Sequence, residues 1–198
     1  MKKILFIIQI IFLSVSFQSI IKADDIKDFE IEGMSIGDSL LKFANEEKIR
    51  LSISNQKYPN DKFTIYEADQ LVLNKKYDYL TVTTKKNDKK YVITSISGSI
   101  NYHELDDCLK KKISIQNEIE KIINFNEKEE VEYPAKKDKT GNSIIYGIQY
   151  YLKPPPSNEA ILINCYHYTE ELGVNRNLTI SVNKEEFAYF LINEAYKW

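Results

Sequence analysis

Few side chains in this sequence carry reactive chemistry. They are one serine in Gly37-Asp38-Ser39-Leu40, the two histidines His103 and His167, and the two cysteines Cys108 and Cys165. A serine hydroxyl attacks at neutral pH only when a base takes its proton, so Ser39 would need one of the two histidines. His103 and Asp107 are four residues apart, one helical turn, and such a pair offers two ligands to a metal ion. A wider zinc set would add Cys108, Cys165 and His167, but His-x4-Cys and Cys-x-His fit no common zinc spacing. A plainer reading of Glu104, Asp106 and Asp107 is an acidic first turn favoured by the helix dipole. No catalytic set is complete, and no metal or cofactor is assigned.

Two short motifs match known families. Gly37 to Leu40 matches the tetrapeptide of GDSL-type esterases and lipases, and the resemblance implies Ser39 as nucleophile. That family also uses an Asp-x-x-His and a Gly-x-Asn-Asp. Here Ile100 and Asn164 stand three residues before the histidines, and no Gly-x-Asn-Asp occurs. A hydrolase using Ser39 is therefore carried as the alternative function. Ser54-Asn55-Gln56-Lys57 matches the Ser-x-x-Lys of penicillin-recognising enzymes, but lies in a polar segment before a turn, where that family needs the start of a buried helix.

The N-terminus points to export. Met1-Lys2-Lys3 precedes an apolar run from Ile4, and Ala23 offers a small residue for cleavage, so residues 1–23 read as a signal peptide. The rival is a retained membrane anchor, for which Ile4 to Ile21 is short and polar. Cleavage removes three lysines and no acid, which takes the net charge from −2 to about −5. An acidic surface gains nothing from releasing counterions on nucleic acid, so no nucleic-acid partner is expected. Stable membrane insertion after cleavage is not expected either. In a periplasmic or secreted chain two cysteines imply one disulfide, Cys108 to Cys165, with two reduced thiols as the alternative. Lysine, isoleucine, asparagine and tyrosine are abundant and arginine is scarce, the imprint of AT-rich codons. The 14 tyrosines are therefore not by themselves a stacking surface.

Residues 24–198 must then form one domain able to position these groups. Alternation predicts a strand over Asp28 to Gly33, and Ser35 caps a helix over 36–48 that would hold Ser39 inside it. Phe63 to Tyr66 is a short strand, and Tyr79 to Thr84 with Lys90 to Gly98 a hairpin with one wetted, Thr-rich face. An amphipathic helix spans 104–124 with Cys108 on its buried stripe. Asn126 to Gly141 reads as a long polar loop, with at most a short edge strand from Val131 to Pro134. Strands follow at Ile144 to Lys153, Ala160 to Tyr168 and Leu178 to Val182. A terminal helix carries Phe187, Phe190, Leu191, Ala195 and Trp198. About seven strands and three helices with hairpin connections predict an α+β fold. Its sheet is mostly antiparallel, with the central helix pinned to it by the disulfide.

The run Asp28 to Leu41 (DFEIEGMSIGDSLL), with Tyr91 to Gly98 (YVITSISG) and a cysteine in the next helix, resembles small exported proteins of marine Pelagibacter-type alphaproteobacteria. The resemblance implies export and bacterial origin and names no site. The order of a Ser-x-Gly-x-Ser segment and then a hairpin is similar to small envelope modules such as the assembly lipoprotein BamE, at the level of fold alone. The expectation is a non-enzymatic binding or scaffolding module of the cell envelope. Its partner would be another envelope protein or a small ligand, met near the Lys85 to Lys89 turn or the 126–141 segment.

Overall fold

The computed structural model of the chain describes residues 25–72, 76–135 and 138–195. The expected leader, residues 1–23, and Trp198 lie outside them. Among the described residues no helix is long and apolar enough to cross a membrane.

After a 3-10 turn at Ile26–Asp28, β1 (Glu30–Ile31) and β2 (Met34–Ser35) form a small hairpin in place of the expected strand over 28–33. Its two-residue turn places Glu32 (φ 53°) and Gly33 (φ 75°) in left-handed conformations, the twist that so tight a hairpin requires. The helix expected over 36–48 is broken. Leu40–Lys42 is a 3-10 turn, and α1 (Glu46–Leu51) begins only at its Asn45 cap. The reason is competition for backbone partners. Gly37 N–H donates to the Ile93 carbonyl (2.9 Å), Ile93 N–H to the Asp38 carbonyl (2.8 Å) and Leu40 N–H to the Tyr91 carbonyl (3.0 Å). Ile36 and Leu40 are still buried, so the apolar signal was real and only its period was misleading.

Next come β3 (Phe63–Glu67), β4 (Tyr79–Lys85), β5 (Ile93–Asn101) and α2 (Leu105–Ile122). They are followed by β6 (Glu127–Pro134), β7 (Ile144–Tyr151), β8 (Ala160–His167), β9 (Asn177–Asn183) and α3 (Glu185–Phe190), which runs on into a π-turn at Leu191–Ala195. β3 to β9 make one seven-stranded sheet in the order β3-β4-β5-β9-β8-β7-β6, antiparallel throughout. The fold is α+β, with three α-helices among the described residues. Two meanders, β3 to β5 and β6 to β9, are joined by the pairing of β5 with β9.

The segment expected to be a polar loop is mainly strand: β6 occupies eight residues and pairs with β7 along its whole length. An edge strand wetted on both faces carries no apolar alternation. Of its residues only Val131 is even half-buried, so its sequence looks like loop. Ala135 N–H bonds the Ser143 carbonyl (2.7 Å), so alternate residues of β6 face β7 and Pro134 falls on an outward position, where its missing N–H costs no ladder bond. The opposite edge, β3, is covered: Ser54 N–H donates to the Ile65 carbonyl and Glu67 N–H to the Ser52 carbonyl. The Lys85 turn is tied down by ion pairs of Lys85 with Glu186 and Lys86 with Asp61.

One face of the sheet builds the core. Val82, Ile96, Leu178, Val182, Ile161, Ile163 and Ile148 share it and are buried under the N-terminal segment and α2. Thr94 is the extra residue of a bulge, since Thr83 pairs with Ser95 and Thr84 with Ile93, which keeps both Ile93 and Ile96 inside. Cys108 and Cys165 are disulfide-bonded with Cα atoms 6.0 Å apart, fixing α2 to β8.

Candidate functional site: a hydroxyl-lined cleft on the open sheet face

The second face of the sheet is polar, as the wetted hairpin face foretold, and the polarity runs on across β9. Strand register lines up rungs across β5 and β9: Ser95 opposite Asn183, Ser97 opposite Ser181 and Ser99 opposite Thr179. Each rung is hydrogen-bonded through its side chains. Ser95 Oγ donates to Asn183 Oδ1 (2.7 Å), Ser97 and Ser181 share a bond of 2.8 Å, and Ser99 and Thr179 share another of 2.8 Å. Strand alternation explains the placement. Every second residue of each strand points away from the core, and here those residues are short and hydroxylic.

α3 folds back over one end of this face. Its Phe187 and Phe190 pack on Phe63 and Tyr58 with ring centroids 4.8–5.6 Å apart. The other end stays open as a cleft of about 860 Å³. Ser99, Thr179 and Asn177 form its floor, Tyr79 stands on the β4 side and Tyr166 and Tyr168 on the β8 side. Tyr79 is 52% exposed, and Tyr166 and Tyr168 stack with centroids 5.8 Å apart and planes 21° from parallel.

The floor has a hydrogen-bond direction. Asn177 Nδ2 donates to the Asn175 carbonyl (3.1 Å), which turns Oδ1 towards Thr179. Thr179 Oγ1 donates to that oxygen at 2.8 Å, so its single proton is committed. Ser99 must then be the donor to Thr179, and its oxygen faces the cleft with lone pairs only. Glu67, Asp69 and Asp78 add carboxylates on the β3–β4 side, and no Lys, Arg or His lines the cleft among the described residues. The carboxylates are held in place: Asp78 accepts from Asn101 N–H (2.7 Å), and Glu67 from Ser54 Oγ (3.2 Å) and Gln70 Nε2 (3.2 Å). The Ser99 floor and the carboxylate side therefore accept hydrogen bonds, while donors come from the Gln56, Asn101 and Asn175 amides around them.

Beside the floor, Asn164 Nδ2 donates to Tyr166 Oη (3.3 Å), while its Oδ1 is buried with no hydrogen-bond partner among the described residues. Gly147 makes room for this amide, since a Cβ there would lie 2.3 Å from Asn164 Oδ1.

The residues singled out from sequence lie elsewhere. Ser39 caps the Leu40–Lys42 turn, accepting from Leu41 N–H (3.2 Å) and donating to the Lys90 carbonyl. It is not inside a helix as expected. Ser39 bridges to Val92, just before β5, whereas His103 follows the far end of β5, roughly 30 Å away at ~3.3 Å per residue. His167 ends β8 at that same far end, where Tyr166 is level with Asn177 and Asn101. The structure thus brings neither histidine to Ser39. A hollow of about 570 Å³ lined by Lys27, Gly37, Asp38 and Lys42 among others does not take in Ser39. Asp107 is exposed and pairs with Lys110 (3.7 Å). Among the described residues no three His, Cys, Asp or Glu side chains are grouped to hold a metal ion.

His167 Nδ1 is buried and lacks a hydrogen-bond partner among the described residues. Burial, helped by the Arg176 guanidinium, pushes its imidazole below the ordinary histidine range, against the smaller pull of Glu104. Ser54 of the Ser-x-x-Lys motif lies after α1, not at the start of a helix, and its hydroxyl is held by Glu67.

Sequence reasoning missed the cleft. Besides the wetted hairpin face, the signal was the pair of alternating runs, Ser95-x-Ser97-x-Ser99 and Thr179-x-Ser181-x-Asn183, which become one surface only once β9 is known to lie beside β5. No family model, curated protein sequence or solved structure matches this chain.

Proposed function

We propose that this chain is an exported, non-enzymatic binding module of the cell envelope, and that a small polar ligand occupies the cleft on the open sheet face. The observation that carries the reading is the cleft itself. Its volume of about 860 Å³ lies within the range of small-molecule sites, and its polar groups are preorganised by their own hydrogen bonds. A surface that merely faces water has no need of a directional hydroxyl chain between aromatic walls. Export is supported by the leader-like N-terminus and by the disulfide, which persists in oxidising compartments. The separation of Ser39 from both histidines weighs against a serine hydrolase.

The test is a ligand screen by amide NMR on the mature protein, with an ester, glycoside and peptide hydrolysis panel beside it. Binding that shifts the Ser99, Asn177 and Thr179 amides, with no turnover, is the expected result. Hydrolysis lost on Ser39→Ala would overturn it.

A further inference from the structure

Resting on that reading of the cleft, we propose that its ligand is a neutral saccharide. Its hydroxyl groups would donate to the Ser99–Thr179–Asn177 floor, and a ring face would lie on the Tyr166–Tyr168 stack.

Three independent features select this chemistry. The first is hydrogen-bond polarity. Ser99 Oγ offers lone pairs only, because the proton of Thr179 is taken by Asn177 and that of Ser99 by Thr179. A ligand group that meets Ser99 must therefore bring a donor. A hydroxyl can donate here and accept from neighbouring amides, whereas a phosphate or carboxylate brings acceptors alone.

The second is charge. Glu67, Asp69 and Asp78 line one side and no cationic side chain lines the cleft among the described residues, so this lining disfavours an anion. The third is shape. Four adjacent strands, β4, β5, β9 and β8, separate Tyr79 from Tyr166, a span of roughly 14 Å at ~4.8 Å per strand. That is longer than one pyranose ring and suits a short oligosaccharide. Its C–H faces would meet tyrosine rings while its hydroxyls meet the floor, the use to which amphipathic aromatic side chains are well fitted. A peptide strand finds no footing here, because both edges of β5, β9 and β8 are already paired.

The experiment titrates the 15N-labelled mature protein with three neutral probes, maltotriose, cellotriose and triacetylchitotriose, and with three charged ones, digalacturonate, AMP and putrescine. The expected result is that at least one neutral trisaccharide shifts the Ser99, Asn177 and Thr179 amides and that digalacturonate and AMP do not. Tyr166→Ala and Tyr168→Ala should each weaken that binding by about tenfold, the loss typical of a central aromatic contact, while Tyr166→Phe keeps it. If Tyr166→Ala fails to fold, Tyr79→Ala serves, because that ring is mainly exposed. Cleft shifts with putrescine or an anion and none with the sugars would overturn the saccharide proposal and leave the binding reading standing. No cleft shift with any of the six would overturn both.

Discussion

Replacing both cysteines, Cys108→Ala/Cys165→Ala, tests how the fold is held. The bond closes a loop with a sequence separation of 57, and chain-entropy arithmetic for that length gives about 4 kcal/mol of stabilisation through the unfolded state. For a domain of this size each kcal/mol moves the melting temperature by about 2–4 °C, so the double variant should melt about 8–16 °C lower. The structure also says where the loss is felt first. Within α2 only Cys108 and Ile119 are buried, one near each end, and Glu120 anchors the C-terminal end further by accepting from Tyr150 Oη (3.0 Å). Without the bond the N-terminal half of α2 has no buried side chain of comparable hold. Amide exchange should therefore rise over 105–112 well before it rises in β8 or β9. Urea melts of both proteins measure the energy, and the variant should show a larger m-value because its denatured chain exposes more surface. A loss under about 1 kcal/mol with an unchanged m-value would refute the loop-entropy account. Exchange that rises uniformly across α2 and the sheet would refute the anchoring account.

Gly147→Ala places a methyl 2.3 Å from Asn164 Oδ1 and 2.7 Å from Val131 Cγ2. It should cost about 1–3 kcal/mol by thermal melt, with part recovered in Gly147→Ala/Asn164→Ala. His167 is held below its ordinary value by burial and Arg176, so between its folded and unfolded values the unfolded chain binds the proton more tightly. Stability should therefore fall as pH drops below about 6.5, and His167→Phe should flatten that slope in urea melts at pH 7.5 and 5.5. The Asp138 carboxylate accepts from the Ser143 and Thr140 hydroxyls and amides, which lower its titration to about 2. Its contribution is complete above the ordinary value near 4 and lost as pH falls towards the folded one. Asp138→Asn, which puts a donor where an acceptor is needed, should remove that acid dependence. A carboxyl NMR titration midpoint near 4 would contradict the assignment.

Much of the fold could be read from local pattern. The β4–β5 hairpin, α2 and the strands β7 to β9 each show their own period, and the oxidising context implied the disulfide. Two misreadings have physical causes. Ile36 and Leu40 keep helical spacing but are buried on either side of the Ser39–Val92 bridge, where Gly37 at φ 91° turns the backbone and bonds it to Tyr91 and Ile93. β6 is strand by pairing and loop by composition, since neither of its faces is buried. The cleft was illegible for a different reason. Its floor is made by residues about 80 positions apart, Ser99 with Thr179, and nothing in either run names the other as partner.

That partnership has a consequence for folding. β3 to β5 and β6 to β9 can each wind up through short hairpin contacts, whereas β5 meets β9 only after a loop of some 80 residues closes. The rungs Ser95–Asn183, Ser97–Ser181 and Ser99–Thr179 lie across this last seam, like stitches drawn after two halves of a garment are cut. A molecule in the cleft, resting on the Ser99–Thr179 rung, grips both halves at once. It would slow their parting and lengthen the lifetime of the folded state, so that occupancy of the cleft could be followed by an unfolding rate alone.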